Sequence, residues 1–393
     1  MNDSSDTRDL LERDADALWH PATHFHDLER LPVIPVVAAE GCELITTDGR
    51  RILDGISSWW TSIHGHGHPR IAEAIADQAK RLDHVMFAGF THAPAVDLAE
   101  QLLDLAPEGY GKVFYSDCGS ASIEVAMKLS FQARVQRGET QRRRFAALHN
   151  SYHGETLGAL SVCGADAYRE LFSPLLVDVL YLPGPHVEDH AHAQLGESGQ
   201  LDPNNFERAC ALLDEHAQEL TALVIEPLVQ CAGKMTMTGS AYYEGIVRKA
   251  QSLGIHVIAD EIAVGFGRTG RLFASDWTGV APDLLCLSKG LSGGVLPLAA
   301  TLIRAGFEDD FKGGPSRSFM HSHTYTGNPI ACAAGLASLE LLCEQVLPTL
   351  EKRVEVMRTK LEEVRAVAPA VRHLRQSGMI GALEVRPGPQ HPA

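Results

Sequence analysis

The sequence predicts an α/β protein whose large domain holds a mostly parallel sheet flanked by helices, with a smaller domain beside it. From about residue 70 to 305, short apolar runs rich in β-branched residues alternate with stretches of helical spacing. The sequence contains no internal repeat of fixed period. This alternation is typical of strands joined by helical crossovers. The length of 393 residues is enough for two domains and a core that encloses a ligand.

Six apolar runs are the predicted strands of the sheet, at 112–117, 144–149, 178–182, 222–226, 256–260 and 283–288. Several of these runs end in a polar residue. Because the carboxyl ends of strands in such sheets face the ligand crevice, we expect the charged residues at these ends to converge. They are Asp117, Glu226, Asp260 and Lys289.

The C-terminal part predicts a smaller unit. Helical periodicity with mixed charge covers residues 329–365, and a strand-like segment follows near 380–385. The final residues 386–393 contain three prolines and little to bury, so we expect an unstructured end.

Composition argues against several classes of partner. The chain has 34 Lys and Arg against 50 Asp and Glu, a net charge of −16, which disfavours nucleic acid and anionic membrane surfaces. The acidic start lacks the features of a secretory signal, and the longest apolar stretch, 284–303, is broken by Lys289, glycines and Pro297. Eight cysteines without a CxxC pair are typical of reduced thiols, so we expect a cytoplasmic protein.

Lys289 is the strongest local indication of a catalytic residue. It is a single lysine at the carboxyl end of an apolar predicted strand, and a glycine-rich loop follows it. Desolvation there lowers the pKa of an ammonium group and supplies the neutral amine that carbonyl chemistry needs. The alternative is a strand-end lysine that reaches solvent.

Asp260 stands at the end of another strand, in the layer where a carboxylate pairs with a pyridinium nitrogen. Such a pair keeps pyridoxal phosphate protonated as an electron sink, so Lys289 and Asp260 together favour this cofactor. The alternative for Asp260 alone is a turn or helix-capping carboxylate.

A phosphate group needs backbone donors, and Gly119 and Ser120 open a predicted helix after the strand 112–117. A helix N-terminus favours an anion, although the same pattern also fits a simple cap. Tyr152 offers an aromatic ring to stack on a cofactor, or else a core tyrosine.

Three other patterns are discounted. The segment 265–270 satisfies GxGxxG but lies five residues beyond its strand and lacks a following helix. The histidines of 64–68 and of 321–323 lack further ligands at metal-binding spacing, so we expect no metal site. Cys118 and Cys163 show no paired base that would make either a nucleophile.

With these residues in place, the chain resembles the class III pyridoxal-phosphate-dependent aminotransferases of fold type I. The similarity covers about residues 17–385. Its markers are the segments 18–21, 57–60, 117–120, 152–156, 226–230, 260–262, 265–270, 288–289 and 323–328. The resemblance implies a small α/β domain made from both termini, with residues 1–65 and 329–393 in it and 66–328 in the large domain.

The resemblance also implies roles for single residues. Lys289 would form the Schiff base with the cofactor and shuttle a proton, and Asp260 would hold the pyridine nitrogen. Gly119 and Ser120 would bind the phosphate. His323 and Thr324 would contact the phosphate from a second subunit. Tyr152 would stack on the cofactor ring and touch the substrate, with Ser322 near this contact. Trp59 would form a wall of the amino-ketone pocket. An obligatory homodimer follows from the shared phosphate site.

The Trp59 and Trp60 doublet is similar to that of the family members that act in biotin synthesis. This implies transfer of the amino group of S-adenosylmethionine to 7-keto-8-aminopelargonate, which gives 7,8-diaminopelargonate. The donor is open between S-adenosylmethionine and lysine. The other readings are a class III transaminase for another ω-amino compound, a cofactor-binding remnant without activity, and a metal-dependent hydrolase built on residues 64–68.

Two departures from the family pattern are expected to matter. Ala22 stands where the family carries an aromatic or small polar group that touches substrate. The family also continues for some tens of residues past the strand near 380, including an arginine that clamps the keto acid's carboxylate, whereas this sequence ends at Ala393. We therefore expect weakened keto-acid binding and an incomplete small domain.

Overall fold

A seven-stranded mixed sheet positions the functional residues of this protein. The computed structural model describes residues 4–28, 30–184 and 203–385. The strands of these residues are β1 (Val36–Glu40), β2 (Glu43–Thr46), β3 (Arg51–Leu53), β4 (Tyr110–Ser116), β5 (Arg144–Leu148), β6 (Val179–Leu182), β7 (Leu220–Ile225), β8 (Val229–Gln230), β9 (Thr236–Met237), β10 (His256–Asp260), β11 (Leu284–Leu287), β12 (Ala299–Arg304), β13 (Val371–Ser377) and β14 (Ile380–Val385).

The large sheet has the order β4-β12-β11-β10-β7-β5-β6. Strand β12 runs antiparallel to both of its neighbours, and the other six strands share one direction. All six predicted strands are therefore confirmed, with ends that differ by at most two residues. Strand β12 was not predicted, because its first five residues fall within the longer apolar stretch 284–303 and are not set apart from it in the sequence.

Helices cover both faces of this sheet. The helices of the described residues are α1 (Ser4–Ala17), α2 (Phe25–Leu28), α3 (Ser57–Trp60), α4 (Pro69–Arg81), α5 (Ala93–Leu105), α6 (Gly119–Gln136), α7 (Leu157–Ser161), α8 (Asp166–Arg169), α9 (Pro203–His216), α10 (Ser240–Ser252), α11 (Pro329–Leu341) and α12 (Leu350–Val367). In β10, Ile258 packs in a cluster with Ile123 of α6, whereas its neighbour Val257 packs with Ile246 of α10. Successive strand residues face opposite sides, so helices bury the sheet on both faces.

The predicted C-terminal helix is two helices. Helix α11 ends at Leu341, a π-helical turn and a 3₁₀ turn follow, and α12 begins at Leu350. The predicted strand near 380–385 is β14, which pairs with β13 in a hairpin. The run Pro329–Val367 is long and apolar enough to cross a membrane by length and composition, but half of its most apolar stretch is buried inside the protein, as in a core helix.

The terminal regions form two separate small sheets. Strands β1, β2 and β3 make an antiparallel sheet near the N-terminus, and the hairpin β13–β14 lies near the C-terminus. The division of the chain at residues 65 and 328 stays a prediction. The expected unstructured end, 386–393, lies outside the described residues.

The histidines at 64 and 66 form hydrogen bonds that fix the loop before α4. His64 accepts or donates a hydrogen bond of 3.1 Å with Ser338 of α11, and His66 pairs with Asp54 at 2.8 Å. Burial lowers the pKa of His64 to about 4. No cluster of three or more possible metal ligands is present in the described ranges.

The half-buried His64 is expected to make the fold sensitive to acid. Its pKa is about 4 when folded and ~6.5 when unfolded, so between these values the unfolded chain binds more protons and stability falls as pH falls. From pH 7.5 to 5.0 this costs up to about 2 kcal/mol. In urea unfolding, His64→Gln should lose less stability over this range than the wild type. The exposed control His24→Gln should lose as much as the wild type, and an unchanged pH dependence in His64→Gln would contradict the assignment.

Candidate active site

A cavity of about 510 Å³ lies at the edge of the sheet where the parallel strands end. All four charged residues that the strand ends predict to converge line this cavity: Asp117 after β4, Glu226 after β7, Asp260 at the end of β10 and Lys289 after β11. The sheet therefore brings together residues that are far apart in the sequence, from Asp117 to Lys289.

Lys289 lies two residues after β11, in a left-handed conformation with φ of 48°. Burial lowers the pKa of its ammonium group, while the nearby Asp260 carboxylate opposes that shift. Its Nζ lies 5.0 Å from the centroid of the Trp60 ring. The chain then turns sharply at Gly294, where a Cβ atom would meet the Thr61 backbone at 2.8 Å. Only glycine fits this approach, which holds the lysine loop against the segment before α4.

Asp260 and His153 form a buried pair at the wall of the cavity. The Asp260 Oδ2 atom lies 2.8 Å from His153 Nδ1, and Oδ1 accepts a hydrogen bond of 3.0 Å from the backbone of Ile262. The exposed fraction of these side chains is 0% for His153 and 6% for Asp260. The other ring nitrogen, Nε2, is buried and has no partner within the described part of the chain. The pair fixes the Asp260 carboxylate in one orientation, because neither side chain can exchange its partner for water.

Helix α6 begins at the cavity with Gly119 and Ser120, as predicted. The residue before it, Cys118, makes no side-chain capping bond, so the first N–H groups of this 18-residue helix keep their capacity for an anion. A Cβ at Gly119 would lie 2.8 Å from the side chain of Ile262, which also lines the cavity. Gly119 therefore permits the close packing of α6 on the loop after β10.

Tyr152 and Glu226 form a second polar part of the wall. The Tyr152 backbone donates a hydrogen bond of 2.9 Å to Glu226, and the Cys231 backbone donates one of 3.1 Å to the other carboxylate oxygen. Burial raises the pKa of Glu226 to about 7 and also raises the pKa of the Tyr152 hydroxyl, which donates to Glu155. The Tyr152 ring lies in the cavity wall, where the sequence predicts it.

The tryptophan doublet occupies a left-handed turn that the sequence does not reveal. Residues 57–60 all have positive φ, between 46° and 64°. Trp60 lines the cavity, whereas Trp59, the predicted wall residue, is 61% exposed and does not line it in this chain. In this left-handed turn it is therefore the Trp60 ring, for which no position was predicted, that lines the cavity.

The predicted phosphate-binding segment 322–324 lies next to the cavity without lining it. Ser322, His323 and Thr324 are exposed. His323 Nδ1 lies 2.9 Å from Oδ2 of Asp117, a cavity residue. Their contribution to a second subunit's site stays a prediction.

Two residues near the lysine were not predicted as part of the site. Cys231 lines the cavity, and burial raises the pKa of its thiol. Arg268 is half-buried and lies outside the cavity lining. Desolvation lowers its pKa to about 10, and it lies within electrostatic range of Cys231 and Lys289. Its Nη2 atom is buried without a partner among the residues that the structure describes. The sequence signal for Arg268 is its place inside 265–270, which satisfies GxGxxG and is also one of the markers of the class III resemblance.

Comparisons with known proteins agree with this geometry. Residues 26–391 match the family model described as "Aminotransferase class-III". The chain is 41% identical over 392 residues to the adenosylmethionine-8-amino-7-oxononanoate aminotransferase of Nitratidesulfovibrio vulgaris, with 97% of this chain and 71% of that protein covered.

Solved structures give the same result. The crystal structure of the enzyme of that name from Methanocaldococcus jannaschii superimposes with a TM-score of 0.89 at 31% identity, covering 96% of this chain and 84% of that chain. An amine transaminase from an uncultivated Pseudomonas species, solved in its PLP-bound form, has a TM-score of 0.85 at 32% identity and covers 95% and 86%. The chain is a pyridoxal-phosphate-dependent transaminase of fold type I, and it belongs to the class III aminotransferases.

Proposed function

We propose that this enzyme transfers the amino group of S-adenosylmethionine to 8-amino-7-oxononanoate (7-keto-8-aminopelargonate), which gives 7,8-diaminopelargonate in biotin synthesis. The observation that carries this proposal is the 41% identity to a relative of that name over nearly the whole chain, together with a cavity that holds Lys289, Asp260 and the Trp60 ring. A class III transaminase for another ω-amino compound would share the lysine and the carboxylate, so the substrates decide between them.

The residues of the cavity fit pyridoxal phosphate. The cofactor supplies an electron sink for bonds at the substrate's amine-bearing carbon. We propose that the start of α6, at Gly119 and Ser120, holds its phosphate. A carboxylate oxygen accepts more than one hydrogen bond, so Asp260 can accept one from the ring nitrogen while it keeps His153. Tyr152 and Ile262 offer an aromatic and an aliphatic surface to the ring.

Lys289 is proposed to bind the cofactor covalently through Nζ and to move the proton at the substrate carbon. Burial favours its neutral form, which accepts a proton, and the adjacent Trp60 face and Asp260 carboxylate favour its charged form. Because desolvation is the larger effect, the neutral form is easier to reach than for a lysine in water, which favours general acid–base catalysis.

Arg268 is proposed to receive the carboxylate of the acceptor. A guanidinium group with a buried, unpaired donor such as Nη2 is costly, and a substrate carboxylate would supply the missing partner. This proposal gives the chain a carboxylate-binding arginine within the described residues, where the sequence assigned none.

We also propose a cytoplasmic homodimer in which the partner supplies His323 and Thr324. All eight cysteines are free, as expected in a reducing compartment. The segments 83–92 and 320–328 lie together, since Asn328 donates to the Asp83 carbonyl and Gly327 approaches the Phe87 ring. These two segments expose several large apolar side chains, namely Met86, Phe90, Met320 and Tyr325. Such a patch is typical of an interface.

Lys289→Ala should reduce amino transfer by at least about 10³-fold, because both the covalent attachment and the proton transfer are lost. The assay follows 7,8-diaminopelargonate by mass spectrometry, with S-adenosylmethionine or lysine as donor. The exposed control Lys112→Ala should keep full activity. Faster transfer from other amines to other ketones, with none to 8-amino-7-oxononanoate, would contradict the substrate assignment.

Arg268→Gln should raise the KM for 8-amino-7-oxononanoate at least about tenfold, since a charge-assisted hydrogen bond contributes ~1.5–3 kcal/mol. The KM for the amino donor should change little. Arg271→Gln, an exposed arginine of the same loop, is the matched control and should behave as the wild type. An equal rise in KM for an acceptor amide without the carboxylate would contradict the assignment.

Gly154→Ala should weaken cofactor binding about tenfold or more. Gly154 has φ of 119°, and a Cβ there would press directly on the Ser120 side chain, which bonds Thr156. Titration of the apoenzyme with pyridoxal phosphate measures the affinity. Gly138→Ala is the control, because Gly138 has φ of 83° but open space around its Cβ. Equal affinities in the two variants would show that Ser120 does not hold the phosphate.

A further inference from the structure

A second cavity lies at the opposite edge of the sheet from the active site. Its volume is about 760 Å³, and residues at the amino ends of β10 and β11, at the carboxyl end of β12 and in the C-terminal half of α6 line it. The activity described above uses none of these residues. The cavity is therefore a separate feature of the same sheet.

The lining of this cavity is positively charged, although the chain as a whole carries −16. Four guanidinium groups face two carboxylates, which leaves a surplus of two positive charges. They are Arg134, Arg137, Arg142 and Arg304 against Glu139 and Asp283. Asp310, outside the lining, pairs with Arg137 at 2.6 Å and reduces the surplus to one.

Two of these arginines keep donors without an acceptor in the described part of the chain. Arg134 is 3% exposed, and its Nε is buried without a partner, while its other nitrogens bond Glu139 and the Gly254 carbonyl. Burial lowers the pKa of Arg134. Arg304 donates from Nη1 to the Ala281 carbonyl at 3.2 Å, and its remaining N–H groups have no acceptor there.

The pKa of His256 reflects the positive charge of the arginines around this cavity. Its Nδ1 bonds Ser130 at 2.8 Å, and the residue is 7% exposed. Burial first, and then Arg134, Arg137 and Arg142, lower the pKa of His256 to about 2. The imidazole therefore stays neutral, and these three arginines form a positive field that an anion would relieve.

We propose that this cavity binds a small oxyanion, a phosphate or carboxylate group, through the unpaired guanidinium donors of Arg304 in the field of Arg134 and Arg142. A guanidinium fork matches two oxygens of either group. Bound oxyanion stabilises the folded enzyme, because the unfolded chain does not hold these arginines together.

Thermal unfolding of the holoenzyme tests this proposal, since its bound cofactor already occupies the phosphate position of the active site. Inorganic phosphate is titrated against sodium chloride of equal ionic strength, with malonate as the carboxylate probe. The melting temperature should rise by about 2 °C or more at saturating phosphate. A rise with phosphate alone assigns phosphate, and a rise with both probes assigns oxyanions in general.

Two variants localise the effect. Arg304→Gln removes the free donors, and Gln218→Glu adds a negative charge at the exposed rim of the cavity. Each should weaken the apparent phosphate affinity at least about tenfold. The control Arg353→Gln, which removes the same charge from exposed α12, should keep the wild-type shift. No shift in the wild type beyond that of chloride, or an undiminished shift in both cavity variants, would overturn the proposal.

Discussion

Parallel pairing of β5, β7, β10 and β11 is the constraint on which the rest of the structure depends. In-register parallel strands deliver their carboxyl ends to one edge, so Asp260 pairs with Cys286 of β11 and Lys289 follows three residues later. Helices on both faces bury these strands, and their burial removes water from the residues at the edge. The lowered pKa of Lys289 is thus a property of the sheet as much as of the lysine.

At the same edge of the sheet, hydrogen bonds fix the orientation of the carboxyl groups of Asp260 and Glu226. One carboxylate oxygen of Asp260 is hydrogen-bonded to His153, and the other accepts a hydrogen bond from the Ile262 backbone. Glu226, fixed by two backbone donors, sits deep enough that burial raises its pKa to about 7. Two carboxyl groups on neighbouring strands therefore differ in their surroundings, one paired with a histidine and the other with backbone amides. Under the proposed function, that difference lets one edge provide both a fixed carboxylate for the ring nitrogen of the cofactor, at Asp260, and a group whose pKa is near neutral, at Glu226.

Much of this arrangement was predictable, because strand periodicity and polar strand ends are local signals. Lys289, Asp260, Gly119 and Ser120 all stand where a strand ends or a helix begins, and the structure places them in or beside one cavity. Their catalytic roles rest on the proposed function. The features of the site that could not be predicted from the sequence depend on backbone geometry and long-range packing.

The positions that escaped prediction show this limit. Four successive left-handed residues bring Trp60, not Trp59, into the cavity wall, and no propensity indicates such a turn. The sequence does not show that Nη2 of Arg268 is buried without a partner among the described residues, and this property makes Arg268 a candidate. The arginine-lined cavity at the other edge joins α6 to strand starts that lie more than a hundred residues away, so only the folded sheet reveals it.

Reduction of the purified holoenzyme with borohydride, followed by peptide mapping, identifies the lysine that binds pyridoxal phosphate. We expect the reduced cofactor to be attached to Nζ of Lys289 and the enzyme's visible absorbance to disappear on reduction. Attachment to a different lysine, or no attached cofactor in a protein that transfers amino groups, would contradict it.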